Sequence, residues 1–212
     1  MNGELDLIVL VADADMEWTM RTLLEKRTAS LGIRPLRFEI RRHPGRDPGV
    51  FREAPDFLRL YLRHARHTLV LLDREGCGQE HHLSVQEIES DLEERLRQNG
   101  WTDAEGQSRA SVIVLDPELE VWVWSRSPHV PEILGVTQAE LQQILEAFPT
   151  TPEGKPQCPK EALIAVLRRS GRPRSARIFQ ELAERVSLRA NERAFDKLRS
   201  TLQTWFAPGE VK

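Results

Sequence analysis

Three short apolar runs in this chain each end in carboxylates, and few folds accommodate that pattern. Leu7-Ile8-Val9-Leu10-Val11 leads into Asp13, Asp15 and Glu17. Thr68-Leu69-Val70-Leu71-Leu72 leads into Asp73 and Glu75, and Ser111-Val112-Ile113-Val114-Leu115 into Asp116, Glu118 and Glu120. Val/Ile/Leu runs without polar alternation fit strands covered on both faces, as in a parallel sheet. Ligand sites of open α/β sheets gather at the carboxyl ends of such strands. If the three strands are neighbours, six to eight of these carboxylates share one rim. They repel one another unless protons or a cation neutralise them, and Mg²⁺ or Mn²⁺ is the oxygen-seeking neutraliser. Taken singly, each cluster also reads as a set of caps for the following helix.

The remaining pattern supplies the architecture. Asp13 or Asp15 caps a helix running to about Ser30, with Met16, Met20, Leu23 and Leu24 at helical spacing and Gly32 as its stop. Leu36–Ile40 alternates as a half-buried strand, and His43–Gly49 reads as a rigid, turn-rich loop. Phe51 to about Arg66 reads as a helix, and Ser84-Val85-Gln86-Glu87 is a capping box opening a helix to Asn99-Gly100. This alternation predicts an α/β fold: a mostly parallel sheet flanked by helices, its strand ends on a common edge. Beyond Trp124 the pattern is wholly helical: Val136–Phe148, Pro159–Arg169, Pro173–Ser187 and Asn191–Phe206. The Pro/Gly/Thr-rich stretch Pro149–Pro156 marks a linker, dividing an α/β domain over 1–148 from a helical subdomain over 149–212.

No apolar stretch approaches the roughly 18 residues that span a bilayer. The N-terminus, Met1-Asn2-Gly3-Glu4-Leu5-Asp6, carries acids where a secretory signal carries bases, and Cys77 and Cys158 make neither a disulfide framework nor a zinc motif. The expected setting is cytoplasmic, with no membrane partner. The net charge of -3 is unevenly spread. From Lys155 to Arg199, twelve basic residues, Arg189 among them, face five acids; Glu80–Glu120 is strongly acidic. Arg168, Arg169, Arg172, Arg174 and Arg177 form a candidate nucleic-acid-binding face, with Arg172-Pro173-Arg174-Ser175 as a phosphate-binding helix entrance. The same face also fits a solvated helix surface or docking on an acidic partner.

Asp73-Arg74-Glu75-Gly76-Cys77-Gly78 places an acid-x-acid pair at a strand end, with glycines that let the backbone turn beside it. Two-metal phosphoryl transfer needs such oxygens, because the metals activate the attacking water and stabilise the leaving oxygen. The candidate metal ligands are Asp13, Asp15, Asp73 and Glu75, and the candidate catalytic set is Asp13, Asp73, Glu75 and Glu120. His81 and His82 offer a general acid or base, or a plain surface pair at a helix start. Cys77 is a minor candidate nucleophile. Trp122 and Trp124 share a face if Val121–Trp124 is a strand, which suits core packing better than base stacking.

An acidic first strand end followed two strands later by an acid-x-acid strand end resembles the TOPRIM arrangement of topoisomerases, primases and OLD-type nucleases. Leu119-Glu120-Val121-Trp122 is similar to a Phe-Glu-Ala-Trp-like stretch of the TOPRIM-like DUF4276 family. Asp47-Pro48-Gly49, Asp116–Glu120 and Val121–Trp124 also resemble bacterial proteins of methylation-associated defence systems, a likeness reaching Pro159–Ala162 and Thr204-Trp205-Phe206. The resemblance implies a TOPRIM-like domain and a cytoplasmic anti-phage setting, with other defence subunits as partners. The chain departs from the TOPRIM pattern in carrying Ala12-Asp13-Ala14-Asp15 where a Glu-Gly pair is usual, and D-x-E in place of D-x-D. Each change moves a ligand oxygen by about one methylene in a geometrically strict Mg²⁺ site. Two functional expectations follow: a metal-dependent phosphodiester-cleaving or phosphoryl-transfer subunit, or a non-catalytic subunit binding nucleic acid or protein through a degenerate domain of this kind.

Overall fold

The computed structural model describes residues 5–186 and 192–209; the expectations resting on Met1–Glu4, Ser187, Arg189 and Asn191 lie outside them. The order is β1 (Leu5–Val11), α1 (Ala14–Lys26), α2 (Thr28–Leu31), β2 (Phe38–Arg42), α3 (Arg46–Leu58), β3 (Ala65–Asp73), α4 (Val85–Gln98) and β4 (Ala110–Leu115). The helices α5 (His129–Leu134), α6 (Gln138–Leu145), α7 (Pro159–Ser170), α8 (Ala176–Arg185) and α9 (Arg193–Phe206) follow. The strands form one parallel sheet in the order β2-β1-β3-β4, with Val9 opposite both Ile40 and Leu69, and Leu71 opposite Ile113. Leu7–Val11 and Leu69–Leu72 are completely buried, as expected for central strands covered on both faces. The carboxyl ends of all four strands therefore open on one edge, which is what assembles the site.

Local chemistry sets the helix starts. Asp13 caps α1 by accepting the Met16 N–H at 2.9 Å, and Met16, Met20, Leu23 and Leu24 turn into the core. The capping box at α4 forms as its sequence predicts: Ser84 Oγ accepts the Glu87 N–H, and Glu87 accepts the Ser84 N–H at 2.7 Å.

Three local expectations change. The segment His43–Gly49 is not all loop, because α3 begins at Arg46. His43 Nδ1 accepts the Gly45 N–H at 3.1 Å, and the ring lies so close over Gly49 that a Cβ there would stand 2.3 Å from Nδ1. Gly49 thus serves close packing rather than a turn. The helix expected to reach Arg66 ends at Leu58, is followed by a 3-10 turn over Arg59–Tyr61, and gives way to β3 at Ala65. Val121–Trp124 is no strand; Leu119–Trp122 forms a 3-10 turn.

The outer edge of β4 is closed by side chains. Val112 and Val114 donate their N–H groups to Glu93 and Glu89 of α4, each at 2.9 Å. Arg193 of α9 donates to the Val114 carbonyl at 2.9 Å and pairs with Glu89; Lys197 bridges Glu89 and Glu93. An edge occupied in this way cannot accept a further strand. The α7–α9 span packs back on the sheet layer, with α8 against α1 and α9 against β4. Arg27 ties α1 to α8 by donating to the Ala183 and Glu184 carbonyls. No helix among the described residues is long and apolar enough to cross a membrane.

Candidate metal centre

The strand ends deliver carboxylates to one cluster. At the end of β3, Asp73 Oδ1 accepts the Leu119 N–H at 2.8 Å, and the Asp73 N–H donates to Asp47 Oδ1 at 2.8 Å. The first bond joins the β3 terminus to the 3-10 turn after β4; the second joins it to the first turn of α3. Glu118, in extended conformation just before that turn, and Glu120 within it are 3% and 2% exposed. Oxygen atoms of Asp73, Glu118 and Glu120 all lie within 4.8 Å of one another, so these three side chains are placed to hold a metal ion. From β1, Asp13 stands at the α1 cap and Asp15 is buried in the first turn.

Two cations already touch the cluster. Lys160, in the first turn of α7, meets Glu118 twice, through its backbone N–H at 3.1 Å and its Nζ at 3.0 Å. Arg174, from the segment between α7 and α8, places Nη2 2.6 Å from Asp15 and 2.7 Å from Glu120. Burial opposes the charge on each, yet the neighbouring carboxylates raise both pKa values above the ordinary range, chiefly Glu118 for Lys160 and Glu120 with Asp15 for Arg174.

These cations do not balance the site. Asp13, Asp15, Asp47, Asp73, Glu118 and Glu120 carry six potential negative charges against two positive ones, an excess of four if all ionise. Burial, then Asp47, Glu120, Asp13 and Glu118, hold the Asp73 carboxyl well above the usual carboxylate range. Burial pushes Asp15 up to about 6, with Arg174 pulling against it and Asp13 and Glu120 adding to it. Asp47 rises through burial, opposed by its bond to Asp73 and reinforced by Asp13. Glu118 rises through burial and Glu120 despite Lys160. Such a cluster holds protons or recruits a cation. Its donors are all hard carboxylate oxygens, which suits Mg²⁺, Mn²⁺ or Ca²⁺ and not a thiophilic metal.

Of the residues singled out in the sequence, Asp13, Asp15, Asp73 and Glu120 lie in this cluster. Glu75 does not join the triad: it is exposed, its N–H donates to the Pro117 carbonyl at 2.9 Å, and it bears on the cluster through its field on Glu118. Asp47, Glu118 and Lys160 take places the sequence reading did not give them. Glu118 was visible as the second acid after β4, whereas Asp47 was hidden by the loop reading of His43–Gly49. Among the five arginines, Arg174 faces inward; Arg169 pairs with Glu140, Arg177 with Glu181, and Arg172 donates to the Ile133 carbonyl and meets Glu181 at 3.5 Å. Arg168 is exposed. His81 and His82 are exposed, and Cys77 is buried with its thiol pKa raised by burial, the wrong direction for a nucleophile. Trp124 is buried and donates to the Pro159 carbonyl at 3.0 Å, and Trp122 packs edge-on to Phe195. No protein-family model, no curated protein and no solved structure matches the chain.

Proposed function

We propose that this protein is a divalent-cation-dependent phosphoryl-transfer or phosphodiester-cleaving subunit, with Mg²⁺ or Mn²⁺ held by Asp73, Glu118 and Glu120. The observation that carries this reading is the uncompensated excess of buried and half-buried carboxylates at the carboxyl edge of the parallel sheet. A bound cation of this kind polarises a phosphoryl oxygen and lowers the pKa of coordinated water. The chain's own residues do the rest. Asp47 and the Leu119 N–H fix the β3 terminus and so hold Asp73 beside Glu118 and Glu120. Lys160, whose side chain is 46% exposed, holds Glu118 while keeping its outer face to solvent, where an incoming phosphate oxygen would meet it. A TOPRIM-like identity and a place in a bacterial defence system belong to the same proposal and rest on the resemblance in sequence.

One observation favours a second reading, the non-catalytic binding subunit: Arg174 and Lys160 already satisfy oxygens of Asp15, Glu120 and Glu118. Melting curves with and without millimolar Mg²⁺ or Mn²⁺ separate the two. A cation that binds only the folded state raises the melting temperature, by the equivalent of about 2.7 kcal/mol at a hundred times its Kd. The catalytic reading expects that rise in the wild type, its reduction in Asp73→Asn, Glu118→Gln and Glu120→Gln, and cation-dependent cleavage of a phosphodiester such as bis(p-nitrophenyl) phosphate or DNA. Melting curves indifferent to both cations would remove the reading. Nucleic acid as substrate adds an expectation of its own: DNA or RNA retention in mobility-shift titrations that weakens steeply with salt.

A further inference from the structure

Beside the triad of Asp73, Glu118 and Glu120 that could hold a metal ion, a guanidinium of the protein itself bridges Glu120 to Asp15. Arg174 Nη2 lies between Asp15 and Glu120, 2.6 and 2.7 Å from the two carboxylates. A divalent cation bridging the same pair would occupy the same region, about 2.0–2.6 Å from each oxygen. The guanidinium is partly exposed but held from several sides. Its Cζ lies 5.4 Å from the centre of the Phe179 ring on α8, and its neighbour Arg172 anchors the same segment to the Ile133 carbonyl. Asp15 is 7% and Glu120 2% exposed while the Arg174 side chain is 37% exposed, so water screens the contact from the guanidinium side only.

Glu120 is the shared wall. One of its oxygens meets Arg174, and it also belongs to the triad with Asp73 and Glu118 whose oxygens converge within 4.8 Å. Paired catalytic cations stand roughly 3.5–4 Å apart on such shared carboxylates. We infer that Arg174 takes the place of the second divalent cation, which makes this a one-cation centre with a built-in guanidinium. The inference rests on the divalent-cation reading above. Its chemical consequence is asymmetry: one side of a bound phosphate faces an exchangeable cation, the other a fixed planar donor that cannot lose its charge.

The test is stoichiometry, read by Mn²⁺ electron paramagnetic resonance and isothermal titration on the full chain. The wild type should bind one Mn²⁺ with an uncoupled spectrum. Arg174→Met should bind a second, exchange-coupled Mn²⁺, Arg174→Lys should stay at one, and Asp15→Asn combined with Arg174→Met should return to one. Circular dichroism checks that each variant is folded; should Arg174→Met not fold, Arg174→Gln, which keeps a polar side chain without the charge, takes its place and should likewise bind a second Mn²⁺. Two coupled Mn²⁺ ions in the wild type, or a folded Arg174→Met that still binds one, would overturn the inference while leaving the cation reading intact. No Mn²⁺ bound by any of the proteins would overturn both.

Discussion

Two groups of carboxylates withdrawn from solvent in this protein have opposite electrostatic fates. Glu89 on α4 is 4% exposed, and burial works against its charge; Arg193, the Val114 N–H and Lys197 outweigh that burial and hold its pKa below the ordinary glutamate range. Asp73, Glu118 and Asp15 at the sheet's carboxyl edge are pushed the other way, because burial is reinforced by other carboxylates and only partly offset by Lys160 and Arg174. The difference shows which acids serve the fold. Glu89 and Glu93 close the β4 edge and dock α9, and every charge there has its partner within the chain. The edge cluster carries charge that the fold does not neutralise, the usual mark of a site kept for something else.

The sharpest way to break the comparison is to make the first group resemble the second. Arg193→Ala leaves Glu89 with Lys197 and the Val114 N–H and should destabilise the protein by about 2–4 kcal/mol in urea denaturation, somewhat below the loss of a fully buried partner because Arg193 is partly exposed. Next in size is a pH effect measured in the presence of a chelator. Asp15 has a folded pKa of about 6 against 3.8 in the unfolded chain, so the native state binds more protons between those values. Stability should therefore fall as pH rises from about 4 to about 6, by roughly 2–3 kcal/mol from Asp15 alone. Asp15→Asn should flatten that slope. Glu89 has the opposite sign: its contribution is present above its unfolded value and is lost as pH falls through its depressed folded value.

A smaller effect is expected from Asp73→Asn. The amide keeps an acceptor for the Leu119 N–H and removes a repelled carboxyl, so the cation-free protein should melt about 2–4 °C higher, equivalent to about 1 kcal/mol. Thermal melts with a chelator check it, and a lowered melting temperature would mean that repulsion is not what strains this edge. The smallest effect sharpens the site boundary. Glu75→Gln should change stability by under about 0.5 kcal/mol and leave the Mn²⁺ response as it is, since Glu75 is exposed and outside the triad.

The coarse fold was legible because its signals are strong and local. Uninterrupted apolar runs fixed β1, β3 and β4, and the Ser84–Glu87 pattern fixed the start of α4. That strand ends would gather acids was equally readable, since parallel connection forces the ends onto one edge. Which acids turn inward was not. Glu75 follows β3 directly but lies in a turn that carries it to the surface, while Glu118 is extended and reaches Lys160 from α7, 42 residues further on. Asp47 joins through a helix whose first turn contains Pro48 and Gly49, both of which read as loop residues. Arg174 sat in a basic run that looked like a polyanion face, and only its tertiary partners Asp15 and Glu120 show where its charge is used. Side-chain pairing across 54 and 159 residues leaves no periodic trace in the sequence between.

The closure of the β4 edge also has a consequence in time. Glu89 and its partner Arg193 are 104 residues apart, and a chain made at about 5–20 residues per second exposes the first for roughly 5–20 s before the second exists. Once β4 is made, Glu93 and Glu89 already hold its Val112 and Val114 N–H groups, but the Val114 carbonyl waits for Arg193, and an unpaired strand group is a foothold for a strand from a neighbouring chain. Helix α9 is thus a seam closed only after the sheet has been made. A polypeptide released before residue 193 would leave the Val114 carbonyl, Glu89 and Glu93 without the Arg193 and Lys197 cations that cover them in the finished fold.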